Sequence, residues 1–464
     1  MGETTQVRPT KAKRTQLGVL TLVAVLAVVL LAFNLLRMLR AGDWLSVTHW
    51  LFFVLVAYAA AAVLAITTMV TGDSAPARVA YRLTLLGFAV HALAWVWRYY
   101  QAGQPPFVSF FEIMMTFALA VVLLLLLGGR WLTFDTAAPF ALPIAALAVL
   151  LTQLFPHQAR PLVPALQSIW LYIHVSVAML GYGACALAFA LALLYLFKDG
   201  LRSSTLGAWT TGLGAFVYAS LSGFSVLRGV YRLPAWDFSA GSRVRLDENI
   251  LLQAEIPYLG WVFLATALLL FLCFLLYIYG ENTRRWAEQV FPFTLAAQMV
   301  SLAALIYAIK AGTYFAPQIA QRVTVSFHSA PLELTGLVVI LGLSGMAMAF
   351  RAKQAAIVAR LPALDQLDAA IYYIVAVAVI FLTLLLITGA VWANVAWGRY
   401  WGWDPKEVAA LITWAIYAAY LHMRLVAGWR GRKAVYFVLV GFLAVVFTFV
   451  GVSFLLTGLH AYVD

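Results

Sequence analysis

Long apolar stretches alternate with short polar or basic breaks along almost the whole chain. The first runs from Leu17 to Leu36, and others follow near 50–70, 80–99, 110–128, 138–155 and 168–197. Each is close to the roughly 20 residues that a helix needs to cross a hydrocarbon core. The pattern loosens over 200–365, where clear runs lie near 257–280, 291–310 and 333–350, with a weaker one, interrupted by Gly and Ser, near 205–227. Runs near 370–391, 406–426 and 434–456 close the chain. The pattern predicts an all-α, polytopic integral membrane protein of about 13 transmembrane helices. No run repeats another in sequence, so the internal symmetry of many transporters is not expected.

Composition agrees. Of 464 residues, 64% are hydrophobic and 10% charged, against roughly 25% charged in a soluble domain. The net charge of +12 does not form a nucleic-acid stripe, because Lys and Arg cluster in short loops between apolar runs, the pattern of the positive-inside rule. Nucleic acid is excluded as a partner on that ground, and the lipid bilayer is the expected surrounding. Cys185 and Cys273 each lie inside an apolar run, form no C-x-x-C pair and read as packing residues.

The basic loops set the sides. Arg8, Lys11, Lys13 and Arg14 anchor the N-terminus in the cytoplasm. The run behind them exceeds the roughly 7–15 apolar residues of a signal peptide and is expected to stay as the first span. Counting onward puts Arg78, Arg82, Arg130, Lys198, Arg284, Arg285, Arg351, Arg360, Arg424, Arg430, Arg432 and Lys433 inside, with Arg37 and Arg40 as exceptions outside. Parity then requires the weak 205–227 segment to cross and leaves the C-terminus on the outer face. The organisation that follows is a tail over 1–16, a helical bundle over 17–200, a block of unassigned role over 201–365 and a core over 366–464. The loop Arg228–Tyr258 would lie outside, with space for an interfacial amphipathic piece.

One stretch departs from ordinary membrane composition. In Trp392-Ala-Asn-Val-Ala-Trp397-Gly-Arg399-Tyr-Trp401-Gly-Trp403-Asp404-Pro-Lys-Glu407 four indoles crowd a short outer segment. A boundary belt supplies one or two such rings, not this density. Pro405 suits the first turn of a helix and Asp404 its cap. The run WANVAWGRYWGWDPKE, followed by ALITWAIYAAYLHMR, resembles the tryptophan-rich WWD signature of heme-handling proteins, and more narrowly the CcsA (ResC) branch of system II cytochrome c biogenesis. The similarity is drawn over about 95–200 and 365–464, and the block between is extra transmembrane sequence relative to the usual CcsA layout.

The resemblance and the topology together pick out histidines. His174, in LVPALQSIWLYIHVS, and His460, in GLHAY, both fall at the outer face with the tryptophan stretch. Two neutral imidazoles facing each other across a porphyrin make a six-coordinate heme, and the resemblance gives these two residues that role. It also gives His422, in YLHMR, an intramembrane heme-iron role, with the second ligand coming from a CcsB (ResB) partner. His91 reads as a packed, hydrogen-bonded histidine, and His49, His157 and His328 as residues without a ligand role. Glu112, in RYYQAGQPPFVSFFEIMM, reads as an interfacial carboxylate able to meet a base or a heme edge.

Trp392, Trp397, Trp401 and Trp403 are expected to box the porphyrin, Arg399 to meet its propionates ahead of Lys406, and Asp404 to shape the loop as a helix cap. The resemblance implies a holocytochrome c synthase (heme lyase) component. It would sit in the plasma or inner membrane and hold transient heme b on the extracytoplasmic side for attachment to the CxxCH motif of apocytochrome c. Rival readings are a CcmC- or CcmF-like system I protein, an electron-transfer cytochrome b subunit and a solute transporter.

Overall fold

The computed structural model describes the chain outside residues 1–22, 24, 33, 35, 37, 39–45, 131–132, 156–166, 224–230, 235, 238–241, 244, 248–249, 252, 318–320, 326–330 and 453–464. His157, His328 and His460, and nearly half of the first apolar run, therefore lie outside the described residues. Among the described residues, twelve helices of 15 to 34 residues carry the fold. Eleven are long and apolar enough to cross a membrane, so the polytopic all-α expectation is met. The chain divides into two compact units, one of Met1–Gln153, Ala159–Asp199 and Ala356–Val463, the other mainly Gly200–Ala355.

The first unit contains α1 (Val47–Thr71), α2 (Ser74–Ala102), α3 (Phe110–Leu127), α4 (Phe134–Leu154), α5 (Ile169–Lys198), α10 (Leu364–Trp397), α11 (Pro405–Leu425) and α12 (Arg432–Val446). At its centre stands α5, apolar around most of its circumference and buried accordingly. It packs against α3, α10 and α12. Small residues make the close approaches possible. A Cβ on Gly181 would stand 3.3 Å from Phe381 of α10, and one on Gly183 would stand 3.3 Å from Ala120 of α3. Between α11 and α12 the fit is tighter still, because Tyr417 fills the space where a side chain on Gly441 would begin, 2.6 Å from its ring. Both cysteines are buried and unpaired with each other, as their apolar setting suggests.

One end of this unit is tied by ions. Arg424, on the last turn of α11, makes a bidentate pair with Asp368 of α10 at 2.9 and 2.6 Å and lies over the Tyr372 ring. Asp368 also accepts from the Gly431 N–H, while Arg432 meets Asp199 at the end of α5 at 2.7 Å. Arg360 donates to the final carbonyls of α1, those of Val70 and Thr71, groups that a helix end leaves without intrahelical partners. Three of the loop bases assigned to the inner side, Arg360, Arg424 and Arg432, are thus clasps between helix ends, and the opposite end is left to the tryptophan stretch.

The second unit contains α6 (Ser203–Ser222), α7 (Leu259–Ile278), α8 (Glu281–Ala311) and α9 (Pro331–Arg360, its last residues reaching the first unit). The weak segment forms a helix after all, and its glycines explain its low apolarity. Gly207 receives the Tyr277 ring, and Gly212 and Gly214 admit Phe274 and Ile340. Buried polar groups find partners across helices here, Thr266 with Ser301 at 2.8 Å and Gln298 with Ser344 at 3.1 Å.

Where the loop Arg228–Tyr258 is expected to have space for an interfacial amphipathic piece, its described residues form short strands. Tyr231–Pro234 (β1) and Gln253–Ile256 (β6) pair antiparallel, and Thr313–Ala316 (β7) and Gln321–Thr324 (β8) extend the sheet in the order β1-β6-β7-β8. Short two-stranded ribbons, Trp236–Asp237 (β2) with Ser242–Arg243 (β3) and Arg245–Asp247 (β4) with Ile250–Leu251 (β5), lie between β1 and β6. The cause is period-two burial, since Ala254 and Ile256 point inward and Gln253 and Glu255 do not.

Gly441→Ala should lower stability by about 1–3 kcal/mol, the usual cost of overpacking a tight core. Thermal unfolding in detergent should register it as a lowered Tm, whereas Gly129→Ala, where a Cβ meets nothing, should leave Tm near wild type.

Candidate heme-binding site

An open, aromatic-lined cavity lies in the first unit at the end away from the ionic clasps. Helical periodicity lines it. On α5, Leu171, His174, Val175, Ala178, Met179 and Tyr182 recur at three- and four-residue steps, and on α10 Leu385, Leu386, Gly389, Ala390, Trp392 and Ala393 do the same. The loop before α3 adds Phe107 and Val108, the segment opening α11 adds Tyr400, Trp401, Lys406 and Glu407, and the chain end adds Thr448 and Phe449. The last two belong to a π-helical turn, Phe447–Gly451, a distortion often found at functional sites.

His174 is held in a defined state. Its Nδ1 lies 3.0 Å from the carbonyl oxygen of Leu385, with Thr388 Oγ1 3.5 Å away. A carbonyl only accepts, so Nδ1 carries the hydrogen and Nε2 the lone pair. This is how metal-binding histidines are commonly oriented, with the second nitrogen donating to a carbonyl. Gly389 makes room for the ring, because a Cβ there would stand 2.7 Å from His174 Cε1. The indole of Trp392 stacks alongside at 5.8 Å and 19°. Trp397 packs on Trp392 with centroids 4.9 Å apart.

The tryptophan segment is shaped by its carboxylates. Asp404 caps α11 by accepting from Lys406 N–H at 3.0 Å, and Asp404 and Glu407 form a reciprocal capping box. Glu407 Oε2 accepts from Gly402 N–H at 2.8 Å and Asp404 N–H at 3.2 Å, gripping both sides of Trp403. Trp403 is held at φ 57°, the left-handed region that costs an L-residue roughly 1–2 kcal/mol. Trp403 is 73% exposed, while Trp401, meeting it edge-on at 5.8 Å, faces the cavity. Arg399 is exposed and lies over Gly402, outside the cavity lining, and Lys406 is in it.

The wall formed by the loop before α3 has its own support. Arg98 and Glu112, both almost fully buried, pair at 2.8 Å. Glu112 also accepts from Val108 and Ser109 N–H, capping α3 and fixing the residue next to Phe107. Trp95 donates to Thr116, whose hydroxyl reaches the Pro106 carbonyl. Glu112 is therefore the partner of a base rather than a group facing the cavity.

The remaining described histidines fall elsewhere. His91 is fully buried with Tyr58 OH 3.3 Å from its Nδ1, and His49 bonds Asn34. His422 is exposed on α11 and is not part of the cavity. It does not accompany Arg424, which turns inward to Asp368. Sequence reasoning passed over Leu385, Thr388 and Gly389; the visible signal was a glycine inside an otherwise continuous apolar run. It also passed over Phe107, Tyr182 and Phe449, which carry no signal separable from ordinary core aromatics.

The site is an aromatic-lined cavity with one oriented imidazole, set among helices long and apolar enough to cross a membrane. The cytochrome C assembly protein family matches residues 83–213 and 256–460, and the chain belongs to that family. The match passes over 214–255, which holds β1 to β5 and most of β6, but takes in the helices α7 to α9. A protein named cytochrome c biogenesis protein CcsA from a Picosynechococcus species is 30% identical over 370 residues, 79% of this chain and 82% of that relative. One from Rippkaea orientalis is 28% identical over 369 residues, with the same shares. One from Prochlorococcus marinus is 52% identical over 98 residues, 21% of this chain and 31% of that relative. The resemblance to the CcsA type drawn from the tryptophan stretch is borne out, and the chain is a multi-pass membrane protein with a role in cytochrome c biogenesis.

Arg98→Met should strand the Glu112 carboxylate in the interior and cost about 3–5 kcal/mol, with Arg98→Met/Glu112→Gln recovering much of it. Thermal melts of the single and double variants read the difference directly.

Proposed function

We propose that the cavity holds heme as a substrate, with His174 as one axial ligand and His460 as the other. The observation carrying this reading is the His174 tautomer fixed by the Leu385 carbonyl inside an aromatic-lined cavity. His460 lies outside the described residues, but it follows the helix whose Thr448 and Phe449 line that cavity. Trp392 stacked on His174 and Trp401 in the wall offer flat apolar surfaces against a porphyrin, and Trp397 buttresses Trp392 from behind.

The chemistry assigned to the site is addition of the two thiols of an apocytochrome CxxCH motif across the heme vinyl groups. Each addition forms a carbon–sulfur bond while the thiol hydrogen ends on the neighbouring vinyl carbon, so no net electrons are exchanged. The nucleophiles come from the apocytochrome, and this chain contributes position and exclusion of water. His422, exposed on α11, is proposed to serve an earlier intramembrane heme site whose second ligand comes from a CcsB (ResB)-type membrane protein. The clasps of basic residues at the opposite end of the unit fit a cytoplasmic face under the positive-inside rule. The cavity then opens on the extracytoplasmic side of a plasma or inner membrane. The relatives named CcsA favour the system II assignment.

Reduced-minus-oxidised spectra of the full chain, purified in detergent with and without its CcsB-type partner, test the reading. A bis-histidine b-type spectrum is expected in wild type, lost in His174→Ala and His460→Ala and restored by added imidazole. His422→Ala should lower heme content only through the partner-dependent site. Heme-free protein with all three variants indistinguishable from wild type would end the proposal.

A further inference from the structure

Among the described residues, the charged side chains lining the cavity are those of Lys406 and Glu407, with His174 neutral in the tautomer described. Glu407 is committed to the Gly402 and Asp404 amides. The first turn of α11, ordinarily an anion-binding feature, is committed too. Pro405 has no N–H, Lys406 and Glu407 N–H donate to the Asp404 side chain, and Val408 N–H donates to the Asp404 carbonyl. The ammonium of Lys406 is the cation left on this wall. Among the described residues it makes no ion pair. Arg399, the other nearby base, is exposed and lies over the Gly402 backbone away from the lining.

The geometry points to Lys406 as the residue that recognises a carboxylate on the cavity's occupant. On the heme reading above, on which this inference rests, that carboxylate is a propionate. Lys406, on α11, and His174, on α5, line the same cavity from different helices, so one orients the edge of the macrocycle while the other takes its metal. A half-buried ammonium with no ion-paired carboxylate of its own gives up little to make that contact, and a charge-assisted bond in an apolar cavity exceeds a surface pair in strength. Lys406 is thus a positioning residue, choosing which edge of the ring faces the tryptophan segment.

Binding of hemin and of hemin dimethyl ester to the full-length protein in detergent provides the test, read from the Soret band and the Kd. Wild type should bind the free acid on the order of tenfold more tightly than the ester. Lys406→Gln should bind both with the affinity wild type has for the ester and keep the His174-dependent spectrum. Lys406→Arg should retain the preference, and Arg399→Gln should leave it unchanged. Equal binding of acid and ester by wild type overturns the inference without recourse to any variant, as does a Lys406→Gln protein with the wild-type preference. If wild type binds neither compound, the heme reading itself fails and takes the inference with it. Binding with an altered acid-to-ester ratio bears on Lys406 alone.

Discussion

The hydrogen bond from His174 Nδ1 to the Leu385 carbonyl joins the two helices that matter most to the site. It crosses from α5 to α10 where both line the cavity, and it is possible because Gly389 has no side chain to occupy the space of the ring. The same bond decides which nitrogen keeps its lone pair. Packing between helices and the chemistry available to a ligand are therefore settled by one contact. Trp392, one turn of α10 further on, stacks on the imidazole and narrows its freedom to rotate.

Around that contact the first unit works as a bundle fastened at one end and open at the other. Asp368 with Arg424, Asp199 with Arg432 and Arg360 with the end of α1 hold the helix termini together. Each pair is partly exposed, where single ion pairs contribute little; their shared location is what distinguishes that end. At the open end the loops have caps and boxes instead. Glu112 and Glu407 each bridge backbone amides in an aromatic loop, and Glu407 holds Trp403 in a backbone conformation it would otherwise avoid.

Much of this was legible because apolar run length and loop charge report directly on membrane helices. The cap at Asp404, the helix beginning at Pro405 and the position of His174 beside the tryptophans all follow from chemistry that the sequence displays. The strands of the second unit were not read, although Gln253-Ala254-Glu255-Ile256 alternates as a strand should; four residues are too few for a period to stand out, and their partners β7 and β8 lie far along the chain. The sequence ranked Arg399 ahead of Lys406, whereas Lys406 is the one on the cavity lining. Both sit within one short stretch, and only the turn at Gly402 puts one over the backbone and the other on the cavity wall. Gly389 was hidden for a related reason, since a glycine in an apolar run announces close packing but not what packs there.

The central claim, that the Gly389 notch seats His174 as an iron ligand, is tested most directly by the heme content of Gly389→Ala protein purified beside wild type. A single methyl group at that position should drive the imidazole off the Leu385 carbonyl and reduce bound heme on the order of tenfold, since a side chain cannot share that space, with added imidazole restoring the spectrum while the protein stays folded. Full heme content with an unchanged bis-histidine spectrum in Gly389→Ala would contradict the claim.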